Sequence, residues 1–241
     1  MENSQRYVEY VEHNIANRNE IIPLELYDKT IKMSAFSKKE MYRSYYSFDE
    51  NFPKYVEEHN SVKDYEGLMF LDTIILDIDK GTMPCNEFKI HTEDCLSTIR
   101  ELGIDTKDIN IWFSGNGYHI ELLNVFGFKP NNKLNETVKF TLQKHFPFAD
   151  NIYDRTRIIR SPWSYNTKSE LYKIFIPYDL FFNYSFEYFV EAAESKENYM
   201  TFNDNFDTLF KNTDIEPYLN HLIANKEIKV HKKVERVGNV S

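Results

Sequence analysis

Short apolar runs and amphipathic stretches alternate along the chain and predict a mixed α/β fold. The clearest strand signal is Thr73–Asp79, an apolar run rich in β-branched residues that a Lys-Gly pair follows. Successive side chains point to opposite faces of a strand, so Asp77 and Asp79 leave one face together. The residues that point the other way, into a core, are Ile74, Leu76 and Ile78.

Hydrophobic periodicity and turn residues place the remaining elements. Helices are predicted at 4–18, 52–59, 86–102, 133–146 and 185–193, with one or two more within 202–224. Strands are predicted at 41–46, 109–114, 118–123 and 173–177. Gly103 is expected to stop the third helix. The Asn116-Gly117 pair predicts a tight hairpin turn between two strands, since both central residues of such a turn take positive φ.

The composition describes a globular protein rather than a disordered one. The 241 residues are 41% hydrophobic and include 17 Tyr and 19 Phe, which is enough for one sizeable core. No apolar run approaches the length of a membrane span, and the N-terminus lacks a basic region followed by an apolar one. We therefore expect a soluble, unexported, cytoplasmic protein without membrane contact. Its two cysteines fit a reducing interior.

The net charge of -9 argues against extensive nucleic-acid contact, because proteins that bind phosphate backbones usually carry a basic surplus. Carboxylates that bind metal ions add negative charge, however, so the distribution of charge matters more than its sum. Basic residues gather in two places, at Arg155, Arg157, Arg160, Lys168 and Lys173, and at Lys226, Lys229, Lys232, Lys233 and Arg236. Any contact with nucleic acid is expected to be local and modest in affinity.

Three stretches carry candidate chemistry, and each has a plain structural alternative. Asp77 and Asp79 repel each other and resist desolvation, a cost that bound Mg²⁺ or Mn²⁺ offsets, but such a pair also suits a solvated strand end. Ser114 and His119 flank a glycine turn that a ligand can approach closely, or they belong to an ordinary hairpin in which His119 contacts Glu121 or a carbonyl.

The third stretch is basic. Arg157, Arg160 and Lys168 suit a polyphosphate, or they form a solvated strand edge. The helix predicted at 86–102 offers a weaker signal, for a zinc site. Three potential ligands, Cys85, His91 and Cys95, lie at its start. Without an obvious fourth ligand, no zinc is expected, and a cysteine buried on a helix face is the better interpretation.

Taken in order, these motifs resemble the archaeo-eukaryotic primase superfamily, in particular its plasmid and viral primase-polymerases. The resemblance covers about residues 40–178 and has three parts. They are the apolar run that ends Asp77-Ile78-Asp79, the turn Ser114-Gly115-Asn116-Gly117-Tyr118-His119, and Ala149-Asp150 followed by the basic run 157–168. No counterpart of the zinc knuckle of cellular primase subunits is apparent, which favours the plasmid or viral type.

The resemblance implies an α/β (α+β) fold, in which an RRM-like antiparallel sheet with flanking helices is joined to a further αβ unit. It implies a catalytic domain at 1–225, with its motif core at about 40–178 and C-terminal helices at 179–225. A basic tail or linker would occupy 226–241.

The resemblance also implies template-directed nucleotidyl transfer from NTPs or dNTPs on single-stranded DNA. Two Mg²⁺ or Mn²⁺ ions would be held by Asp77, Asp79 and Asp150. Asp154 competes for the third position, but Asp150 follows an apolar residue and stands farther before the basic strand, as the family pattern requires. The residues that would bind the nucleotide are Ser114, Gly115, Asn116, Gly117, His119, Arg157, Arg160, Asn166 and Lys168.

Alternatives to primer synthesis stay open at this point. A gap-filling or lesion-tolerant polymerase of the same superfamily would extend primers without starting them. A non-catalytic nucleotide or single-strand binding module would have no need for the third acid, and a two-metal nuclease would not need the Ser-Gly-x-Gly-x-His turn. Related proteins often carry a helicase or a primase C-terminal helical domain, which makes either an expected partner, and a viral or plasmid protein would act in the host cytoplasm.

Overall fold

Two large antiparallel sheets, a further sheet of two strands and the helices around them account for most of residues 5–203, the part of the chain that this computed structural model describes. The strands are β1 (Tyr7–Glu12), β2 (Glu20–Pro23), β3 (Met41–Ser44), β4 (Ser47–Phe48), β5 (Met69–Phe70), β6 (Thr73–Asp79), β7 (Ile109–Phe113), β8 (Gly117–Leu123), β9 (Ile158–Arg160), β10 (Tyr165–Asn166), β11 (Leu171–Tyr172) and β12 (Ile174–Ile176). The helices are α1 (Leu24–Met33), α2 (Phe52–His59), α3 (Cys85–Glu101), α4 (Leu134–His145), α5 (Tyr178–Phe181), α6 (Phe186–Ala192) and α7 (Lys196–Phe202). The fold is therefore mixed α/β with antiparallel sheets, as the sequence predicts at this level.

One sheet, which we call the first sheet, carries the aspartate pair and has the strand order β12-β7-β8-β6. Every neighbouring pair is antiparallel, and the register places Asp77 opposite His119 and Asp79 opposite Gly117. Side chains of cross-strand partners lie on the same face of an antiparallel sheet. The aspartates of β6 and the histidine of β8 therefore share one face, which we call the polar face.

The opposite face of this sheet is the core. Ile74, Leu76 and Ile78 are almost fully buried there, as the alternation along β6 predicts. Helix α3 covers this face, and its Phe88 ring stacks on Tyr118 of β8 with the ring centroids 5.5 Å apart. The polar residues of β6 and β8 are thereby left to face the second sheet.

The second sheet has the order β5-β4-β1-β3-β9, and β2 also pairs with β1. Its edge strand β9 runs antiparallel to β3, with Arg160 opposite Tyr42. A tyrosine ties the two sheets together, because the backbone N–H of Ile75 donates to Tyr45 Oη at 3.0 Å. The polar face of the first sheet and the β3–β9 edge of the second are therefore held close to each other.

Most predicted elements in the middle of the chain are confirmed. The helix predicted at 52–59 coincides with α2, and α3 and α4 lie within one residue of the helices predicted at 86–102 and 133–146. The strands predicted at 41–46, 109–114, 118–123 and 173–177 match β3, β7, β8 and β12. The helix predicted at 185–193 is α6, which Ser185 caps by accepting from the backbone N–H of Tyr188. Gly103 follows α3 with a φ of +81°, as a helix stop requires.

The prediction of a helix at 4–18 is wrong. This segment contains β1, the turn that follows it and the approach to β2. Val8, Tyr10 and Val11 are all buried, so both faces of β1 are covered and its apolar residues do not alternate. Their spacing therefore resembled that of an amphipathic helix.

The hairpin turn is confirmed, but its geometry differs from the expected one. β7 and β8 pair as predicted, and the backbone N–H of Ser114 donates to the Gly117 carbonyl at 2.9 Å. Positive φ falls on Gly115, at +98°, rather than on the Asn116-Gly117 pair. Gly115 and Asn116 are thus the two central residues of the turn. A two-residue hairpin loop of type II′ requires glycine at the first of these positions, which is where Gly115 stands.

Part of the predicted domain organisation lies outside the described residues. The helices expected after Phe202, up to residue 225, and the basic tail at 226–241 fall in this category. Within residues 5–203, no helix combines the length and the apolar character that a membrane crossing requires.

Candidate active site

The predicted site residues converge on a cavity of about 530 Å³ between the two sheets. Its walls come from β6 and the β7–β8 turn on one side and from β3 and β9 on the other. The predicted residues that line it are Asp77, Asp79, Ser114, Asn116, His119, Arg157, Arg160 and Asn166. Stretches that are far apart in the sequence therefore meet at one place.

Asp77 is the most perturbed acid of this cavity. Its side chain is 13% exposed, and burial, followed by the charges of Asp79 and Asp150, raises its pKa to about 7. The pKa of Asp79 is also raised, first by burial and then by Asp150. Burial and the neighbouring carboxylates thus make ionisation of Asp77 and Asp79 costly, which is a condition that a bound cation relieves.

The two candidates for the third carboxylate, Asp150 and Asp154, lie at different places around this pair. The backbone N–H of Asp150 donates to the Asp77 carbonyl at 2.9 Å, and its charge acts on both aspartates of β6. Asp150 is exposed and is not among the residues that line the cavity. Asp154 does line it, with a side chain that is 72% exposed and lies 3.9 Å from Lys139 Nζ. Asp150 is therefore the acid whose charge acts on the pair, and Asp154 is the one at the cavity wall.

The donor set fits a divalent ion that arrives with a ligand. Within residues 5–203, no three or more His, Cys, Asp and Glu side chains come close enough together to hold a metal ion among themselves. Mg²⁺, however, is usually bound through one or two carboxylates together with substrate phosphates and water. Asp77 and Asp79 supply two such carboxylates on one face, with Asp150 close by.

His119 is neutral and keeps one ring nitrogen available. Its pKa lies well below the ordinary value because of burial and the positive charges of Lys173, Arg160 and Arg157. Its Nε2 lies 3.4 Å from Asp77 Oδ1, and the contact is not an ion pair because the ring is uncharged. The other nitrogen, Nδ1, is buried and has no hydrogen-bond partner within the described residues.

The contact between His119 and Glu121, one alternative considered from the sequence, is not formed. Glu121 Oε1 instead lies 3.5 Å from the Nζ of Lys173, which is fully buried. This lysine also donates to the Arg160 carbonyl at 3.0 Å. It thereby connects β8 of the first sheet to β9 of the second, directly behind the cavity.

The two glycines of the turn are required by close packing. A Cβ on Gly117 would lie 2.3 Å from the carbonyl oxygen of Ile78 on β6. A Cβ on Gly115 would lie 2.5 Å from Ser169 Oγ, and Asn166 Nδ2 donates to the Ser114 carbonyl at 3.4 Å. The turn is thus pressed between the aspartate strand and the basic segment, and neither glycine itself lines the cavity.

The basic segment presents two arginines to the cavity. Arg160 donates from Nη1 to the Tyr165 carbonyl at 2.9 Å, and its guanidinium lies over the Tyr42 ring, 5.0 Å from the centroid. Arg157 lines the cavity, and its charge lowers the pKa of Asp77. Lys168 stands just outside the cavity wall, but its charge acts on Asp79 in the same direction.

Sequence reasoning missed four residues of the cavity wall, Ile15, Arg18, Tyr42 and Thr156. Ile15 and Arg18 belong to the turn between β1 and β2, a region that was predicted to be helical and without function. Tyr42 was expected only as part of a strand. The signal in the sequence that could have identified this part of the wall was Arg18, an arginine that follows an apolar strand. Such an arginine does not by itself indicate a site.

The cysteines of α3 lie away from this cavity. Cys95 is buried on the helix face, as expected, and its Sγ lies 3.7 Å from His91 Nε2. Cys85 is half-buried at the helix start, and both cysteines are free thiols.

A scan of the chain against protein-family models and a search of curated proteins both found no match. Functional inference therefore depends on the motif residues and on the cavity they form.

Proposed function

We propose that the chain is a nucleotidyltransferase of the archaeo-eukaryotic primase type, which synthesises primers on single-stranded DNA from NTPs or dNTPs. The observation that supports this most directly is the convergence of three motifs on one cavity. The acidic pair of β6, the Ser114–His119 turn and the Arg157–Arg160 segment come from separate stretches of the sequence and line one polar cavity. A triphosphate with its metal ions is well matched by this combination of acids, neutral donors and guanidinium groups.

The fold is compatible with this assignment. In our proposal the β12-β7-β8-β6 sheet, with α3, is the RRM-like half of a primase catalytic domain. The sheet around β1 is then the additional αβ unit. The cavity between them takes the place of the catalytic cleft.

The acidic side of the cavity would hold the divalent ions. Asp77 and Asp79 offer carboxylate oxygens from one face of β6, and Asp150 stands next to both. When bound, Mg²⁺ or Mn²⁺ supplies positive charge to the triphosphate and lowers the pKa of the attacking 3′-hydroxyl. The aspartates themselves fix the position of this charge and stay ionised once it is present.

The opposite side would bind the triphosphate oxygens. The neutral imidazole of His119 has one N–H to donate, and Ser114 adds a hydroxyl at the same turn. Arg157 and Arg160 would stabilise the charge that develops on the leaving pyrophosphate, and Lys168 would contribute from the rim. Asn166 would hold the turn and the basic segment together through its contact with the Ser114 carbonyl.

A nucleotide-binding module without catalysis is the second candidate function. It is favoured by the observation that no three-residue metal-ligand group is formed within residues 5–203. Such a module would use the same turn and arginines, and the acids would serve only to accompany the nucleotide's own Mg²⁺.

The test is synthesis on single-stranded DNA without a primer, with labelled NTPs or dNTPs and either Mg²⁺ or Mn²⁺. We expect new oligonucleotides from the wild type and none from an Asp77→Ala, Asp79→Ala variant. Asp94→Ala serves as the matched control, since this acid is exposed on α3 and lies outside the cavity wall, and it should retain activity. Extension of an added primer alone would support the gap-filling or lesion-tolerant polymerase.

Absence of any product, with nucleotide binding retained, would support the non-catalytic module. More than a few per cent of residual activity in Asp77→Ala would contradict the metal role of this residue. The helicase or primase C-terminal helical partner and the cytoplasmic location stay predictions.

A further inference from the structure

The turn between β1 and β2 reaches from the second sheet into the cavity. Its Arg18 lines the wall and makes a two-pronged contact with Glu9, donating from Nε at 2.7 Å and from Nη2 at 2.5 Å. Glu9 is 1% exposed and also accepts from the backbone N–H of Asn19 at 2.9 Å. A buried carboxylate with this many donors fixes the guanidinium in one place.

Arg18 uses the same fixed guanidinium to hold a second segment. Its Nη2 donates to the carbonyl of Thr156 at 2.9 Å, although the two residues are 138 positions apart in the sequence. Thr156 immediately precedes Arg157, whose own carbonyl accepts from the backbone N–H of Tyr45 at 2.8 Å. The segment that carries Arg157 is therefore held from two sides, by Arg18 and by Tyr45, the residue that follows β3.

The contact with Glu9 decides between two roles for Arg18. Because the Glu9 carboxylate neutralises the Arg18 charge at hydrogen-bond distance, Arg18 adds little net positive charge to the cavity. Arg157, by contrast, does contribute positive charge to the cavity, since its charge shifts the pKa values of Asp77, Asp79 and His119. The position of Arg157 thus matters to the whole site, and Arg18 is one of the groups that sets it.

We propose that Arg18, oriented by the buried Glu9, is a positioning residue that fixes the Arg157 segment for triphosphate binding. The proposal rests on the proposed function, because it assumes that Arg157 binds triphosphate oxygens. Arg18 acts through the backbone of Thr156 and not by touching the nucleotide.

The test is a double-mutant cycle on nucleotide affinity, measured by calorimetric titration with dATP·Mg²⁺ and with inorganic tripolyphosphate and Mg²⁺. We expect Arg18→Gln to weaken binding of both probes about tenfold, within the range of coupling seen between contacting groups. When Arg157→Gln is already present, adding Arg18→Gln should weaken binding no further. Glu9→Gln should reproduce the effect of Arg18→Gln, since it releases the same guanidinium.

Two further variants separate positioning from general stability. Arg6→Gln is the matched control, because Arg6 pairs with the exposed Asp72 at 2.7 Å and lies outside the cavity wall, and it should bind like the wild type. Arg18→Lys keeps the charge but cannot form the fork to Glu9 and reach Thr156 as well. It should therefore weaken binding as Arg18→Gln does.

The outcomes are distinguishable. Full affinity in Arg18→Gln, with weakened binding in Arg157→Gln, would overturn the positioning role and leave the proposed function standing. Additive losses in the double variant would also overturn it, because Arg18 would then act independently of Arg157. A wild type that binds neither probe would overturn the proposed function, and the positioning role with it.

Discussion

Replacement of Asp77 by Asn should stabilise the protein when divalent ions are absent. Burial and the charges of Asp79 and Asp150 raise the pKa of Asp77 from 3.8 to about 7. The folded state therefore keeps a proton that the unfolded chain has already released, and between these two pH values stability falls as pH rises. Asparagine has nearly the same size and carries no charge, so the variant does not suffer this loss.

The size of the effect follows from the same shift. The two pKa values differ by about three pH units, and each is worth about 1.4 kcal/mol, which gives on the order of 4 kcal/mol in favour of Asp77→Asn. The gap between the variant and the wild type should widen as pH rises toward 7 and become constant above about pH 8. Added Mg²⁺ should narrow it, because an ion that binds only the folded wild type stabilises that protein.

The assay is urea unfolding in the presence of a chelator, from about pH 4 to about pH 9, with linear extrapolation of the free energy of unfolding. Trp112 and Trp163 are both nearly buried and report unfolding by fluorescence. Asp154→Asn is the matched control, since its side chain is 72% exposed and a surface change of this kind should stay within about 0.5 kcal/mol of the wild type. Parallel pH dependences for the wild type and Asp77→Asn would refute the reasoning.

Three other predictions concern single contacts. Gly117→Ala should destabilise the fold by about 1–3 kcal/mol, because its Cβ would lie 2.3 Å from the Ile78 carbonyl, and an unchanged melting temperature would contradict this. Phe88→Ala should cost about 3–5 kcal/mol in urea unfolding, since the ring is fully buried, whereas Phe140→Ala, at a position 74% exposed, should change little. Arg160→Ala should raise the apparent KM for nucleotide about tenfold or more, as expected for a charge-assisted contact, and an unchanged KM would count against a phosphate role.

The parts of the fold that the sequence predicted are those with local causes. The alternation along β6 depends only on which side of the strand is buried, and the β7–β8 hairpin depends on a glycine turn between two apolar runs. The two-residue strands β4, β5, β10 and β11 have no comparable signal, because their pairing is decided by distant neighbours. The turn geometry at Gly115 was missed for the same reason, since Ser169 and Asn166, not the turn itself, press against it.

The N-terminal hairpin shows why the predicted site was incomplete. The contact between Arg18 and the Thr156 carbonyl spans 138 positions, and the buried Glu9 that orients it stands within an apolar strand. An acid in such a place resembles a polar residue on the outer face of a helix, which is how the segment was interpreted. Glu9 needs a partner only in the folded protein, where it is 1% exposed, because a buried carboxylate is costly without one. The ion pair between Glu9 and Arg18 then brings Arg18 to the cavity. The contact that stabilises a buried carboxylate in the folded protein therefore also positions a residue of the site.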